Sequence, residues 1–379
     1  MLGLLYFGRL EKEKGFDAII QMIEIFGKNK GDLPFRLFIF GSGTYEKEIK
    51  NLAYKYKNIH FFGRQNLDTI KRYVSNCQYY LMPSVFLETF GLTALTALSR
   101  GLPTIGFAKG GVKDFILPQL DLNKVEGNFT SQKLFNLINN LITNPPLHKM
   151  GRVGVGGPFQ LSSRKNNITK IISPNTKKIL IVSDFINKIG GIETYIRDCK
   201  SILESMGYQV QIFGGKLPKG PIGKLAKYLG IFSAVFNFYE AIKLLSTIKK
   251  FNPDLIRFNS ILRYLGRMSV GISQFSKAKK WMMYHDFGYF FPFPNKLYET
   301  NQIKYPLSLK NYVQSAQTKN PIKILFIIGK YFSVYLIKNK LKKIIDKHLV
   351  PSKYMEEIVH KSYKIPKEKI ITLPHFIQE

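Results

Sequence analysis

From Leu4 to about residue 172 short uninterrupted apolar runs alternate with segments whose apolar residues recur at helical spacing. The run ending near Phe7 reads as a strand, and Phe16, Ile19, Ile20 and Ile23 place one face of the following helix against it. FRLFIFGSG and HFFGRQ repeat the strand-and-turn signature, and Cys77 to Ser84 closes a further apolar strand. Uninterrupted rather than alternating apolar strands are buried on both faces, which is the habit of parallel sheets flanked by helices. A second series opens at Lys177 with the strand KKILIVSDF, the glycine turn NKIGG and the helical stripe Ile192, Ile196, Cys199 and Leu203. Its further strands are QVQIFGG, DLIRFNS, KKWMMYHDF, HLVPS and KIITLPH. The expected organisation is therefore α/β: two Rossmann-like domains at 1–172 and 177–379, joined by a linker at 173–176.

Two stretches break this rhythm. Met150 to Pro158, MGRVGVGGP, imitates a phosphate loop but follows no strand, so it reads as a turn or a strained helix start. Tyr228 to Ile248 and Ile324 to Ile337 are the longest apolar tracts. The first carries Glu240 and Lys243 and the second is short for a bilayer crossing, so both read as amphipathic helices flanked by lysines. Such helices suit an anionic membrane face, or equally a core with solvated lysines at the helix ends.

Charge enlarges the first of those options. The 379 residues carry 57 Lys and Arg against 25 Asp and Glu, a formal charge of +32 that attracts nucleic acid, anionic lipid or phosphorylated substrates. A Lys-, Ile- and Asn-rich genome would account for part of it. A nucleic-acid binder also needs aromatics interleaved with basic residues on one exposed face, and most aromatics here fall within apolar strands and helices. Cys77 and Cys199 are the two cysteines, one in each half, so they read as buried small hydrophobes in a reducing cytosol rather than as a disulfide. The apolar start of the chain is quickly followed by charge, unlike a secretory signal. The expected location is cytoplasmic, including the inner face of the cell membrane.

The richest chemistry lies in PSVFLETFGLTALTALSRGLPTIGFAKGG, Pro83 to Gly111. A strand end, a carboxylate at Glu88, the Phe90-Gly91 turn and a helix from Leu92 meet there, and free N–H groups at a helix start favour an anion. Alone, Glu88 could equally be an acidic residue capping a helix. The run closely resembles the donor-site motif of GT-B-fold glycosyltransferases, in particular the retaining family 4 (glycosyl transferases group 1). Leu4 to Ile19 is similar to that family's first strand, Gly-Arg turn and Lys-Gly helix start, which implies that Arg9 and Lys14 bind the nucleotide diphosphate. Gly41, Gly43 and Arg64 fall in the matching second and third strand turns, Arg64 beside the base pocket. The family places a second Glu eight positions after the first, on the ribose hydroxyls; this chain has Thr96. Loss of a charged hydrogen-bond partner weakens binding by roughly 10- to 100-fold.

The second half resembles the family's acceptor domain. Gly190-Gly191 corresponds to its glycine-rich loop near the phosphates, and Tyr284-His285-Asp286 to the strand end that faces the donor sugar. The resemblance implies catalytic positions at His285, Asp286 and Glu88. The order is reversed, donor domain first, which a circular permutant would show and so would the tail of one glycosyltransferase joined to the head of its neighbour. In the second case Arg9 and His285 never share a cleft.

No P-loop is formed at Gly223-Lys224, and His-Glu-x-x-His and Cys-x-x-Cys spacings are missing, so no metal or cofactor is expected beyond the nucleotide-diphosphate sugar itself. The resemblance implies transfer of a hexose, with retention, to a glycan or lipid-linked acceptor, as in cell-envelope polysaccharide synthesis. The competing expectation is a noncatalytic or truncated glycosyltransferase-like protein.

Overall fold

The structure is a computed structural model that describes residues 1–30, 32–145, 171–185, 191–215, 237–262, 264–293, 297 and 303–375. Contacts divide the chain into two units, Met1–Gln160 and Leu161–Glu379. Ile172, expected at the end of the first domain, is packed into the core of the second, because its side chain sits with Ile179, Leu203 and Trp281. MGRVGVGGP, Gly190 and residues 228–236 of the first long apolar tract lie outside the described residues.

The first unit is built on β1 (Leu2–Phe7), β2 (Phe35–Phe40), β3 (Ile59–Phe61), β4 (Tyr79–Met82) and β5 (Thr104–Gly106). All pairs are parallel, in the order β3-β2-β1-β4-β5. The helices are α1 (Phe16–Lys30), α2 (Glu46–Lys55), α3 (Leu67–Val74), α4 (Leu92–Leu98) and α5 (Thr130–Thr143). β1 is buried over Gly3–Phe7, as an inner parallel strand must be. α1 turns Phe16, Ile19, Met22, Ile23 and Phe26 inward, and Phe26 meets Phe135 of α5 at 4.5 Å between ring centroids. β5 lies inside the sequence GLPTIGFAKGG and is only three residues long, too short for its apolar run to be separated from the preceding helix by pattern.

The second unit has β6 (Lys178–Phe185), β7 (Gln209–Gly215), β8 (Leu255–Phe258), β9 (Lys279–Met283), β10 (Lys347–Val350) and β11 (Ile370–Thr372), again all parallel, in the order β11-β10-β9-β8-β6-β7. Its helices are α6 (Gly191–Ser205), α7 (Phe238–Phe251), α8 (Gly266–Ile272), α9 (Leu309–Ser315), α10 (Pro321–Ile344) and α11 (Lys353–Tyr363). The α6 stripe of Tyr195, Ile196, Cys199, Ile202 and Leu203 closes over Ile179, Ile181, Leu255, Trp281 and Met283. Both expected Rossmann-like units are present.

The two sheets differ in strand order. Strand succession reverses direction between β1 and β4 in the first unit and between β6 and β8 in the second. In open parallel sheets the crevice beyond the carboxyl ends at such a reversal is where ligands bind.

One expectation changes. The tract Ile324–Ile337 becomes the middle of the 24-residue α10, and this helix is not amphipathic. It buries Ile327, Tyr331, Val334, Ile337 and Leu341, yet exposes apolar side chains on the opposite side.

Candidate functional site

In the first unit the loops leaving β1 and β4 are stitched together at the strand reversal. Gly15 has φ +71°, and a Cβ there would stand 2.0 Å from the Pro83 carbonyl oxygen. Both the left-handed backbone and the close approach require glycine. Val85 N–H donates to the Glu13 carbonyl at 3.2 Å, adding a second backbone link. This seam carries Lys14 against Glu88: Lys14 Nζ donates to Glu88 Oε1 at 2.7 Å, and the Ser84 hydroxyl donates to the same oxygen at 3.0 Å. Neither contact engages Oε2.

The Lys14 ammonium also lies 4.6 Å from the Phe86 ring centroid. With side-chain exposures of 21% for Lys14 and 12% for Glu88, the pair is held in a partly dry corner yet open at one side. Arg9 is looser: half exposed, it pairs with Glu13 Oε1 at 2.9 Å on the outer surface of the turn. At a surface position such a pair contributes little, so the guanidinium is available to an anion at small cost.

Glu88 is carried by a loop whose shape depends on the glycines beyond it. Gly111 N–H donates to the Glu88 carbonyl at 2.8 Å, and a Cβ at Gly111 would meet the Thr89 oxygen at 2.0 Å. Gly91 (φ +83°) starts α4 under Val112. Phe90 is buried edge-on against Phe115, 5.1 Å between centroids. Phe90 and Gly91 therefore shape the loop, and Leu92, half-buried, opens the helix.

Gly41 and Gly43 are likewise places of close backbone approach. Cβ atoms there would meet Gly8 and Leu10 carbonyl oxygens at 1.9 and 2.5 Å. Arg64 is exposed, next to Phe62, which stacks on Phe40 at 4.7 Å. Thr96 is buried, and its hydroxyl donates to the Leu92 carbonyl at 2.8 Å. That is the helix back-bond typical of threonine; it turns the group into its own helix. Sequence reasoning quoted Ser84 without assigning it a role and passed over Lys109, whose Nζ donates to the Val85 carbonyl at 3.3 Å.

In the second unit the strand-end residues are far more enclosed. His285 is buried, with Nε2 2.9 Å from Asn259 Oδ1 and Nδ1 3.4 Å from His375 Nε2. The Asn259 oxygen can only accept, so Nε2 carries the proton and Nδ1 faces His375. The two imidazoles stack at 5.0 Å and Tyr195 meets His285 edge-on at 5.1 Å. Burial, then the neighbouring His375 and Arg257, push His285 well below the usual histidine range; burial and Arg257 push His375 down to about 3. Both rings are neutral at physiological pH, and both nitrogens of His285 face protein groups.

Asp286 caps the turn at Phe287–Tyr289, accepting from Gly288 N–H at 2.7 Å. Gly191 is exposed at the first position of α6. Arg257, within β8, is buried with Nη1 2.9 Å from Cys199 Sγ and Nη2 on the Tyr195 hydroxyl. Cys199 is thus more than an inert hydrophobe. Asn259, His375 and Arg257 were not singled out in the sequence, where an Arg inside an apolar strand was the available signal.

The first unit decides the comparison with known proteins. Residues 3–152 match the family model of Glycosyl transferases group 1. A glycosyltransferase from Methanocaldococcus jannaschii is 32% identical over 117 residues, 30% of this chain and 29% of its own length. A Corynebacterium glutamicum protein named GDP-mannose-dependent monoacylated alpha-(1-6)-phosphatidylinositol monomannoside mannosyltransferase is 26% identical over 174 residues, 43% of this chain and 45% of its own length. The pneumococcal O-GlcNAc transferase GtfA, solved with UDP and GlcNAc, is 27% identical with a TM-score of 0.33, covering 40% of this chain and 31% of that one. The chain spans less than half the length of the curated relatives it matches. Each of its two units is a parallel-sheet α/β domain of Rossmann-like type.

Proposed function

We propose that the protein transfers a hexose from a nucleotide-diphosphate sugar, with retention, to a glycan or lipid-linked acceptor. The observation that carries this reading is the Lys14–Glu88–Ser84 cluster at the β1/β4 strand reversal, inside the segment that matches group 1 glycosyltransferases. Arg9 and Lys14 meet the diphosphate, and positive charge there stabilises the negative charge that grows on the leaving group. On binding, Lys14 turns from Glu88 to phosphate, and the released carboxylate accepts from sugar hydroxyls. Arg64 and the Phe62 ring flank the base.

A second reading, a noncatalytic glycosyltransferase-like protein, is favoured by two contacts. The Thr96 hydroxyl is engaged by its own helix, and both His285 nitrogens face protein groups.

Titration calorimetry with UDP, GDP, ADP and their sugar conjugates separates the two. The parent chain is expected to bind at least one of them, Lys14→Met to bind it at least 10-fold more weakly, and Thr96→Glu about 10- to 100-fold more tightly. Absence of binding by both the parent and Thr96→Glu would establish the noncatalytic reading.

A further inference from the structure

Exposed large apolar side chains are distributed unequally between the units. In the first, Met1, Tyr54, Leu67 and Phe129 stand singly, as on any soluble protein. In the second they line neighbouring helices. α10 exposes Ile322, Leu325, Phe326, Phe332 and Tyr335, with Ile322 at 79% and Leu325 at 72%. Gly329 continues that stripe, since a Cβ there would meet nothing within 4 Å. α7 exposes Phe238, Tyr239 and Ile242, and Phe275 protrudes just after α8 at 74%. α8 packs against both α7 and α10, so these side chains belong to one helical layer.

The charge on this layer has one sign. α10 contains six lysines and no Asp or Glu. The one acid in α7, Glu240, is buried and accepts from Tyr264 at 3.2 Å. Lys323, Lys342 and Lys343 are exposed at the two ends of α10, flanking the apolar stripe.

We propose that the α7–α8–α10 layer docks on an anionic lipid bilayer, with α10 lying in the interfacial plane. Among the described residues no helix is long and apolar enough to cross a membrane, so the contact is made along the helix and not through it. A second copy of the layer fits poorly, because it would set lysines against lysines with no acid between them. Nucleic acid would satisfy the lysines but leave Ile242, Ile322 and Leu325 in water. Lipid satisfies both, with acyl chains receiving the apolar stripe and headgroups the lysines. This inference stands independently of sugar transfer.

The test is flotation of the full chain with vesicles of phosphatidylcholine alone or mixed equally with phosphatidylglycerol. Trp281 fluorescence and circular dichroism confirm that each variant is folded. The parent is expected to float with the mixed vesicles and not with phosphatidylcholine. The double variant Leu325→Ser/Phe326→Ser is expected to lose at least 10-fold in partitioning. Lys342→Gln/Lys343→Gln is expected to lose about 5-fold per lysine at low salt (about 1 kcal/mol each), an effect that salt screens.

Three results would each overturn the proposal: no flotation of the parent, equal flotation of parent and apolar variant, or a dimer in sedimentation that Leu325→Ser/Phe326→Ser dissolves. Binding to a DNA duplex that leaves the protein off mixed vesicles would also overturn it.

Discussion

The two units solve one architectural problem differently. Each presents a strand reversal at the carboxyl edge of a parallel sheet, but the first leaves its charges partly open to solvent and the second buries its polar groups. Lys14 and Glu88 form a pair partly open to solvent, with Arg9 outside it. His285, His375, Asn259 and Arg257 are buried, and among the described residues the guanidinium of Arg257 is bonded to a thiol and a phenol rather than to Asp or Glu. Of the charged groups in the first edge, half-exposed Arg9 can change partners at little cost. Those of the second are held in one protonation state, because an ion in an apolar interior is costly unless paired.

Acid should therefore separate the units most strongly. His348, 3.0 Å from the Tyr284 hydroxyl, and His375 are both pushed down to about 3, by burial first and then by Lys369 and Arg257 respectively. In the unfolded chain each titrates near the ordinary value of about 6.5. Their contribution is thus complete above that value and is lost as pH falls toward the folded value, because the unfolded state takes up protons that the native state refuses. At pH 5 the expected loss is about 2 kcal/mol for each of the two. Trp281, the one tryptophan of the chain, lies in the core of the second unit and reports it directly. In the first unit the one described histidine, His60, is half-buried and stacked on Phe38. Urea midpoints from Trp281 fluorescence at pH 7.5 and 5 should fall steeply, while hydrogen exchange in β1, β2 and β4 stays protected. Equal loss in both units would remove the contrast.

A converse change should strike the first unit alone. Gly15→Ala adds a methyl where the Pro83 oxygen already stands, at a positive φ. The combined backbone and overpacking cost is expected to be about 3 kcal/mol. Hydrogen exchange in β1 and β4 should quicken and the Trp281 transition should stay in place. A shift of the Trp281 transition instead would show that the units unfold together.

Uninterrupted apolar runs made the strands legible wherever they were four residues or longer. Gly-rich turns made the β1 and β4 edges legible because close backbone approach leaves only glycine at Gly15 and Gly111. β5 escaped because its run follows closely on the apolar helix α4, whereas β3 and β11, equally short, were legible. Positions of Glu88 and Lys14 could be read from local pattern, but their pairing spans 74 residues and arises only when the sheet brings both loops together. The same holds for His285 and His375, 90 residues apart, whose contact hides the imidazole that a strand-end histidine would otherwise offer. The burial of Ile172 with the second unit was invisible to pattern, since a short apolar pair serves either neighbour equally.

The smallest expected effect is also the most specific to the second edge. Arg257 is fully enclosed, its guanidinium bonded to a thiol and a phenol, and among the described residues its Nε has no partner. Burial pushes both of those groups up, Tyr195 to about 12, so neither supplies a counter-charge at neutral pH. Replacing an unpaired buried charge by an apolar side chain of similar length removes its desolvation cost while keeping the packing. Arg257→Met is therefore expected to raise the stability of the second unit by about 1 kcal/mol at pH 7.5. It also removes a positive neighbour that lowers His285 and His375, so the loss of stability on going to pH 5 should shrink. Both readings come from the same Trp281 titrations. Destabilisation by several kcal/mol at pH 7.5 would instead mean that Arg257 is balanced by an anion, and the second edge would then resemble the first in holding charge against charge.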